Sequence, residues 1–246
     1  MLVGTANVDA LARTAAEVAA WQSEPVALHD VACLQLTAEM RRRAREVLLP
    51  PALHPTSPAA LSLQVWRVAA SPWGAFSWAV CRVSCRSGVR ARGFTTAAVA
   101  STERAAQGLA GSFGFPCRLG TVQLERGYDR VTAQVALGER SILRLEGLDP
   151  EPLGADDVQY TGTMNLAHTP NGLRLMQVEA DHASNRVERL CGRIAGFDAA
   201  AWGSQLLDPY HVVSASIALG EVTFAPIRFV CRVDELAFTG TEAVSA

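Results

Sequence analysis

Cys117 and Arg118 stand side by side in Gly114-Phe115-Pro116-Cys117-Arg118-Leu119-Gly120, within 246 residues that contain no lysine. A thiol beside a guanidinium allows two kinds of chemistry. The cation can lower the thiol pKa and make Cys117 a nucleophile. Alternatively, Arg118 can itself bind a carboxylate or stabilise an enolate oxygen. Each has a plainer reading: Cys117 as a small, inert wall residue, and Arg118 in an internal ion pair with Glu103 or Glu125. Imine chemistry needs an amine, and no lysine side chain is present to supply one. A thiohemiacetal on Cys117 would offer no comparable electron sink. His211, in Asp208-Pro209-Tyr210-His211, is either a general base or a satisfied structural histidine. His168 and His182 flank an Asn171-Gly172 turn without metal-ligand spacing. The six cysteines contain no Cys-x-x-Cys pair, so they read neither as a zinc site nor as a disulfide framework. No Gly-x-Ser-x-Gly, P-loop or dinucleotide fingerprint is present. The expectation is therefore no cofactor and no metal.

The elements that must position these residues are mostly strands. Asn7 caps an expected helix running to about Trp21, with Val8, Leu11, Ala12, Ala15, Val18 and Ala19 at helical spacing. Val26 to Leu36 reads as a strand, and Thr37 as the cap of a second helix reaching Leu49 before Pro50-Pro51. From Ala60 onward the period is mostly two: Leu61, Leu63 and Val65 alternate with Ser62, Gln64 and Trp66, and Phe76 to Ser84 continues as a strand. Cys81 and Cys85 share a strand face as core fillers. Ser101 caps a short helix from Thr102 to about Phe113, which delivers Cys117 and Arg118 into the next strand. Thr121 to Glu125, Arg130 to Leu137 and Ser141 to Glu146 read as a meander, and Leu148 to Asp157 as a loop. Val158 to Ala167 and Leu173 to Glu188 are strands about the Asn-Gly turn. His211 to Phe224 and Ile227 to Val233 close the sheet. There is no repeat or low-complexity linker, so residues 1–246 read as one domain, with 1–22 as an additional N-terminal helix.

The segment 114–120 resembles the Tyr-Pro-Lys-Lys-Leu-Gly signature of the acetoacetate decarboxylase family. In that family the first lysine forms an imine with a β-keto acid and the second depresses its pKa. Other segments are similar in the same order. Met40 to Pro50 resembles an early helix, and Ser71-Pro72-Trp73-Gly74-Ala75-Phe76 a glycine-aromatic turn. Asp208-Pro209-Tyr210-His211-Val212-Val213 resembles a closing hairpin. The resemblance implies an α+β, mainly β fold: antiparallel sheets curled into a barrel-like pocket, a β barrel with a few flanking helices. It also implies a homo-oligomer. Cys117 stands at the imine lysine's position and Arg118 at its neighbour's. Phe76-Ser77-Trp78 falls where the family has a glutamate, Ala110-Gly111 where it has an Arg-Glu pair, and Leu63 or Gln64 near a strand carboxylate. These departures imply a dry pocket with Arg118 as its cation. Gln64, Trp66, Trp73, Trp78, Phe115 and His211 would contact the substrate.

A formal charge of −2 with 19% charged residues gives no electrostatic case for nucleic acid or an anionic membrane. Arg41-Arg42-Arg43-Ala44-Arg45 reads as a solvated face. Without a signal sequence or a run of about eighteen apolar residues, the cytoplasm is the expected location. The leading expectation is a noncovalent cyclase or isomerase of secondary metabolism. It would act on an apolar, conjugated or polyketide-like carbonyl compound, with Arg118 polarising the carbonyl and Cys117 beside it. One alternative is a carbon–carbon lyase, aldolase or dehydratase working without a Schiff base. The other is a non-catalytic small-molecule-binding protein.

Overall fold

The structure is a computed structural model that describes residues 2–234 and 241–244. Its strands are β1 Ala16–Glu17, β2 Val26–Met40, β3 His54–Pro55, β4 Ala60–Ala70, β5 Phe76–Ser87 and β6 Arg90–Ala100. There follow β7 Cys117–Leu119, β8 Thr121–Arg126, β9 Arg130–Leu137, β10 Arg140–Leu153 and β11 Gly162–Thr169. The last are β12 Gly172–Val178, β13 Ala180–Phe197, β14 Pro209–Phe224, β15 Phe229–Cys231 and β16 Thr241–Ala243. Two α-helices accompany them among the described residues, α1 Val8–Ala12 and α2 Glu103–Phe113.

The main path runs β16-β15-β12-β11-β6-β5-β4-β2-β14-β13-β10-β9-β8, mostly antiparallel. It curls until β8 packs against β4, β5 and β6, but its two ends do not pair. The expected barrel is therefore a strongly curled open sheet. Strand alternation sends side chains to two cores. Leu61, Leu63 and Val65 enter one, whereas Trp66 and Val68 enter the other, together with Trp78, Val80, Phe113 and Phe224.

Several sequence expectations are corrected. Asn7 does cap the first helix, accepting from Ala10 N–H at 3.0 Å, but the helix ends at Ala12. Beyond it, Ala16 and Glu17 pair in parallel with Ala167 and His168, and Val18 is buried in the core. The expected helix from Thr37 to Leu49 is instead the end of β2 and a 3-10 turn, Arg42–Ala44. Leu34, Leu36, Ala38 and Met40 alternate inward there, and β4 and β14 pair with both edges, so tertiary pairing overrides helix propensity. The loop expected from Leu148 is largely the continuation of β10 to Leu153. The strand expected from Val158 begins at Gly162, and the segment expected as one strand from Leu173 is divided at Glu179 into β12 and β13.

Helix α2 forms as its sequence predicts, with the cap one residue later than expected. Thr102 Oγ1 accepts from Ala105 N–H at 3.3 Å, and Ala105, Ala106, Leu109 and Phe113 form its buried face. Gly114 ends it with a left-handed φ of 70°. A Cβ there would stand 2.9 Å from Met176 Sδ and 3.0 Å from the Ala167 Cβ, so both space and backbone require glycine. The side-chain amide of fully buried Asn165 donates to the Phe113 carbonyl at 2.8 Å, fixing the helix end from which the 114–120 segment departs.

Candidate functional site

The 114–120 segment lies between two cavities. β7 pairs in parallel with β6, setting Cys117 against Ala98 and Arg118 against Val99. Cys117 and Arg118 line a cavity of about 680 Å³, whose far wall is the N-terminal segment from Ala6 to Ala16. Phe94, Ala97, Phe115 and Leu166 make much of its remaining surface apolar. The Arg118 guanidinium donates to the Ala201 carbonyl and forms no ion pair among the described residues, with Glu103 and Glu125 included. Burial lowers its pKa, while Cys117 raises it. Burial also pushes the Cys117 thiol up to about 12, overriding the pull of Arg118 in the other direction. At neutral pH Cys117 is a thiol, not a thiolate. Thr95, 3% exposed, lines the same cavity, and its hydroxyl has no partner among the described residues.

Gln64, Trp66, Trp78 and Phe115 surround a different and much smaller cavity, about 50 Å³. Phe115 alone belongs to the lining of both. The large rings fill most of this chamber themselves. Trp78 packs at 5.4 Å from Trp66 and edge-on at 5.0 Å from Phe115, and Phe224 stands 4.9 Å from Phe113 behind them. Gln64 is buried and its amide donates to Gln35 Oε1, its cross-strand neighbour on β2.

Trp73 lies at neither cavity; it packs against Phe76 and the α2 residue Phe113. His211 is exposed on β14 and also lines neither, while its neighbour Asp208 pairs with Arg41. The structure thus groups Cys117, Arg118 and Phe115 on one side, and Gln64, Trp66, Trp78 and Phe115 on the other.

Arg82 and Tyr160 of the small chamber escaped the sequence reading, and His182 was considered there only as a metal ligand. Arg82 is 5% exposed and shares its β5 face with Trp78 and Val80. That alternation is visible in the sequence, since Cys81, Val83 and Cys85 occupy the other phase. The Tyr160 and His182 rings stack at 3.6 Å and 4°. Burial, and then the Arg82 cation, lower the His182 pKa to about 4, and burial raises that of the Tyr160 phenol. Both rings are neutral near pH 7. Among the described residues no group of three or more His, Cys, Asp or Glu side chains could hold a metal ion. Among the described residues no helix is long and apolar enough to cross a membrane.

No family model and no curated protein matches this sequence. Solved structures do match. The acetoacetate decarboxylase from Legionella pneumophila superposes with a TM-score of 0.74 at 17% identity, covering 84% of this chain and 87% of that one. The enduracididine biosynthesis enzyme MppR complexed with pyruvate gives 0.70 at 15% identity, over 83% and 90% of the two chains. An acetoacetate decarboxylase-like enzyme from Sphingomonas wittichii RW1 gives 0.65 at 13% identity, over 83% and 92%. Over more than four-fifths of its length the chain therefore has the fold of the acetoacetate decarboxylase-like superfamily.

Proposed function

We propose that this protein is an enzyme that guides cyclisation or isomerisation of an apolar, conjugated carbonyl compound, polyketide-like in character, without a covalent intermediate. The observation that carries this reading is Arg118: a cation with no carboxylate partner among the described residues, on the wall of a largely apolar cavity of about 680 Å³. Such a volume lies within the range of small-molecule sites, roughly 300–1,000 Å³. A substrate carbonyl accepting from Arg118 would have its developing negative charge stabilised by a fixed donor. The buried Thr95 hydroxyl offers a second hydrogen-bonding group in the same cavity. The remaining wall would hold the substrate in a reactive conformer, a contribution that reaches about 7–11 kcal/mol at its best. Cys117, protonated and half-buried, serves as wall. That solved structures of this fold are described as enzymes supports catalysis over mere binding.

The test is turnover of an aryl-substituted 1,3,5-triketone, followed by mass spectrometry. A product of unchanged mass that Arg118→Met fails to form is the expected result. Ring closure with release of one water, as aldol or enol–ketone closure of a triketone gives, would still be cyclisation, whereas cleavage of a carbon–carbon bond into two fragments would replace the reading with a lyase. Retention of the compound without turnover would leave a binding protein.

A further inference from the structure

The N-terminal wall of the Arg118 cavity is fastened at both ends and loosely held between them. At the near end the backbone N–H groups of Gly4, Thr5 and Ala6 donate to the carbonyls of Leu53, Glu46 and Leu49, at 2.9, 2.7 and 3.0 Å. Gly4 lies so close to this loop that a Cβ there would stand 2.1 Å from the Leu49 carbonyl oxygen. At the far end Ala16 and Glu17 pair with β11, and Val18 N–H donates to the His168 carbonyl at 2.8 Å. The Val18 side chain is 2% exposed, a buried anchor. Residues 7–15 between these ends carry α1, and none of its five residues is buried. Leu11 and Ala15 rest against the core only half-buried. Among the described residues a single hydrogen bond joins this stretch to the rest of the chain: His168 Nε2 donates to the Ala12 carbonyl at 3.0 Å.

There is open space on both sides of α1. Ala10, Leu11 and Thr14 line the cavity of about 680 Å³. Val8 lines a separate groove of about 400 Å³, whose walls include the apolar Pro51, Leu173 and Val233. Leu173 is the cross-strand partner of His168, so the groove wall and the bond to Ala12 share one face of the β11–β12 hairpin. An element packed at crystal-like density cannot shift without strain. One with space on both faces, little buried apolar surface and one hydrogen bond opens locally at low cost.

We propose that residues 7–15 are a hinged strap, latched by His168, that swings from the Arg118 cavity towards the Val8–Leu173 groove to admit a bulky apolar molecule. The hinges fall at residues 6–7 and 15–16, where the anchoring backbone contacts end. This gate rests on the reading of the Arg118 cavity as the functional site, and it concerns entry, not chemistry.

Cys117, half-buried in the cavity wall, reports entry. The intact protein is treated with N-(1-pyrenyl)maleimide, a bulky apolar reagent, or with iodoacetamide, a small one, and each cysteine is followed by peptide mass spectrometry. Exposed Cys191 reports the reactivity of the reagent, and fully buried Cys81 reports global unfolding. His168→Ala releases the latch and should accelerate pyrenyl labelling of Cys117 severalfold relative to Cys191, with a smaller effect on iodoacetamide and none at Cys81. His168→Gln retains an N–H that reaches the Ala12 carbonyl and should label as the parent does. Leu173→Trp fills the groove and should slow pyrenyl labelling of Cys117 severalfold. The strap is overturned if His168→Ala labels Cys117 at the parent's rate, or if it accelerates both reagents equally. Acceleration in His168→Gln as large as in His168→Ala overturns the latch. Should labelling of Cys81 show that His168→Ala unfolds, Leu173→Trp decides, and an unchanged rate there overturns the proposal. None of these readings depends on turnover, so the strap and the Arg118 mechanism stand or fall separately.

Discussion

Trp73 rests against Gly108: a Cβ at residue 108 would fall 2.3 Å from both Cε2 and Nε1 of its indole. The contact joins the turn before β5 to the middle of α2, the helix that ends in the 114–120 segment. Glycine inside a helix ordinarily costs about 0.8–1 kcal/mol relative to alanine, so Gly108→Ala should stabilise α2 considered alone. Overpacking costs more, about 1–3 kcal/mol, and the indole would have to leave its place. Gly108→Ala is therefore expected to lower stability by roughly 1 kcal/mol in urea unfolding. A more stable variant would mean that Trp73 is free to swing aside.

Helix α2 shows what local sequence carries well: a threonine cap, an apolar face at helical spacing and a glycine stop all agree, and the element forms where they say. The Asn171-Gly172 hairpin and the β8–β10 meander were legible for the same reason, since turn chemistry and period-two patterning coincide. Residues 37–49 were not. Ala38, Glu39, Met40 and the arginines after them are good helix formers, but Ala38 to Met40 pair between β4 and β14, which no local window contains. The site failed to be legible in a similar way. Gln64, Trp66, Trp78 and Phe115 were named together from the family resemblance, and they line one chamber, with Phe115 reaching it from the link between α2 and β7. Sheet curvature, which puts Cys117 and Arg118 in a separate cavity, is not written in any single segment. Arg82 was legible in principle, as a cation in the same strand phase as Trp78 and Val80.

No imine should form on an internal side chain. With no lysine in the sequence, incubation with acetoacetate and borohydride should leave every internal peptide at its unmodified mass. A stable adduct within residues 114–120 would contradict both the chemistry of Cys117 and the noncovalent reading.

His182 should make stability depend on pH. Burial, and then the Arg82 cation, hold its pKa at about 4 in the folded protein, against an ordinary 6.5, with Asp181 pulling weakly the other way. The folded state therefore refuses a proton that the unfolded chain accepts. This contribution is fully present above pH 6.5 and is lost progressively as pH falls towards 4. His182→Gln removes the titration while keeping a polar side chain. The stability of the parent relative to His182→Gln should decline from pH 7 to pH 4 in urea unfolding. A constant difference would show that His182 titrates normally.

The Arg118 cavity makes the sharpest demand on the proposed chemistry. Arg118→Met keeps most of the side chain's reach and removes the cation. Losing one preorganised donor to a developing oxyanion typically costs about 2.7–4 kcal/mol, on the order of a hundredfold or more in rate. Cys117→Ala should cost far less, because the thiol is protonated and contributes only wall. Ala10 is exposed at the edge of the same cavity. Ala10→Trp should therefore obstruct substrate entry and raise KM with little loss of fold stability. Trp78→Ala alters the other chamber. Its effect on turnover should be smaller than that of Arg118→Met, because its ring reaches the large cavity only through Phe115, against which it packs. The expected order of sensitivity in kcat is Arg118 first, Trp78 next and Cys117 last. If Cys117→Ala abolished turnover while Arg118→Met retained it, catalysis would pass through the sulfur, and the noncovalent mechanism would give way to a thiol-based one.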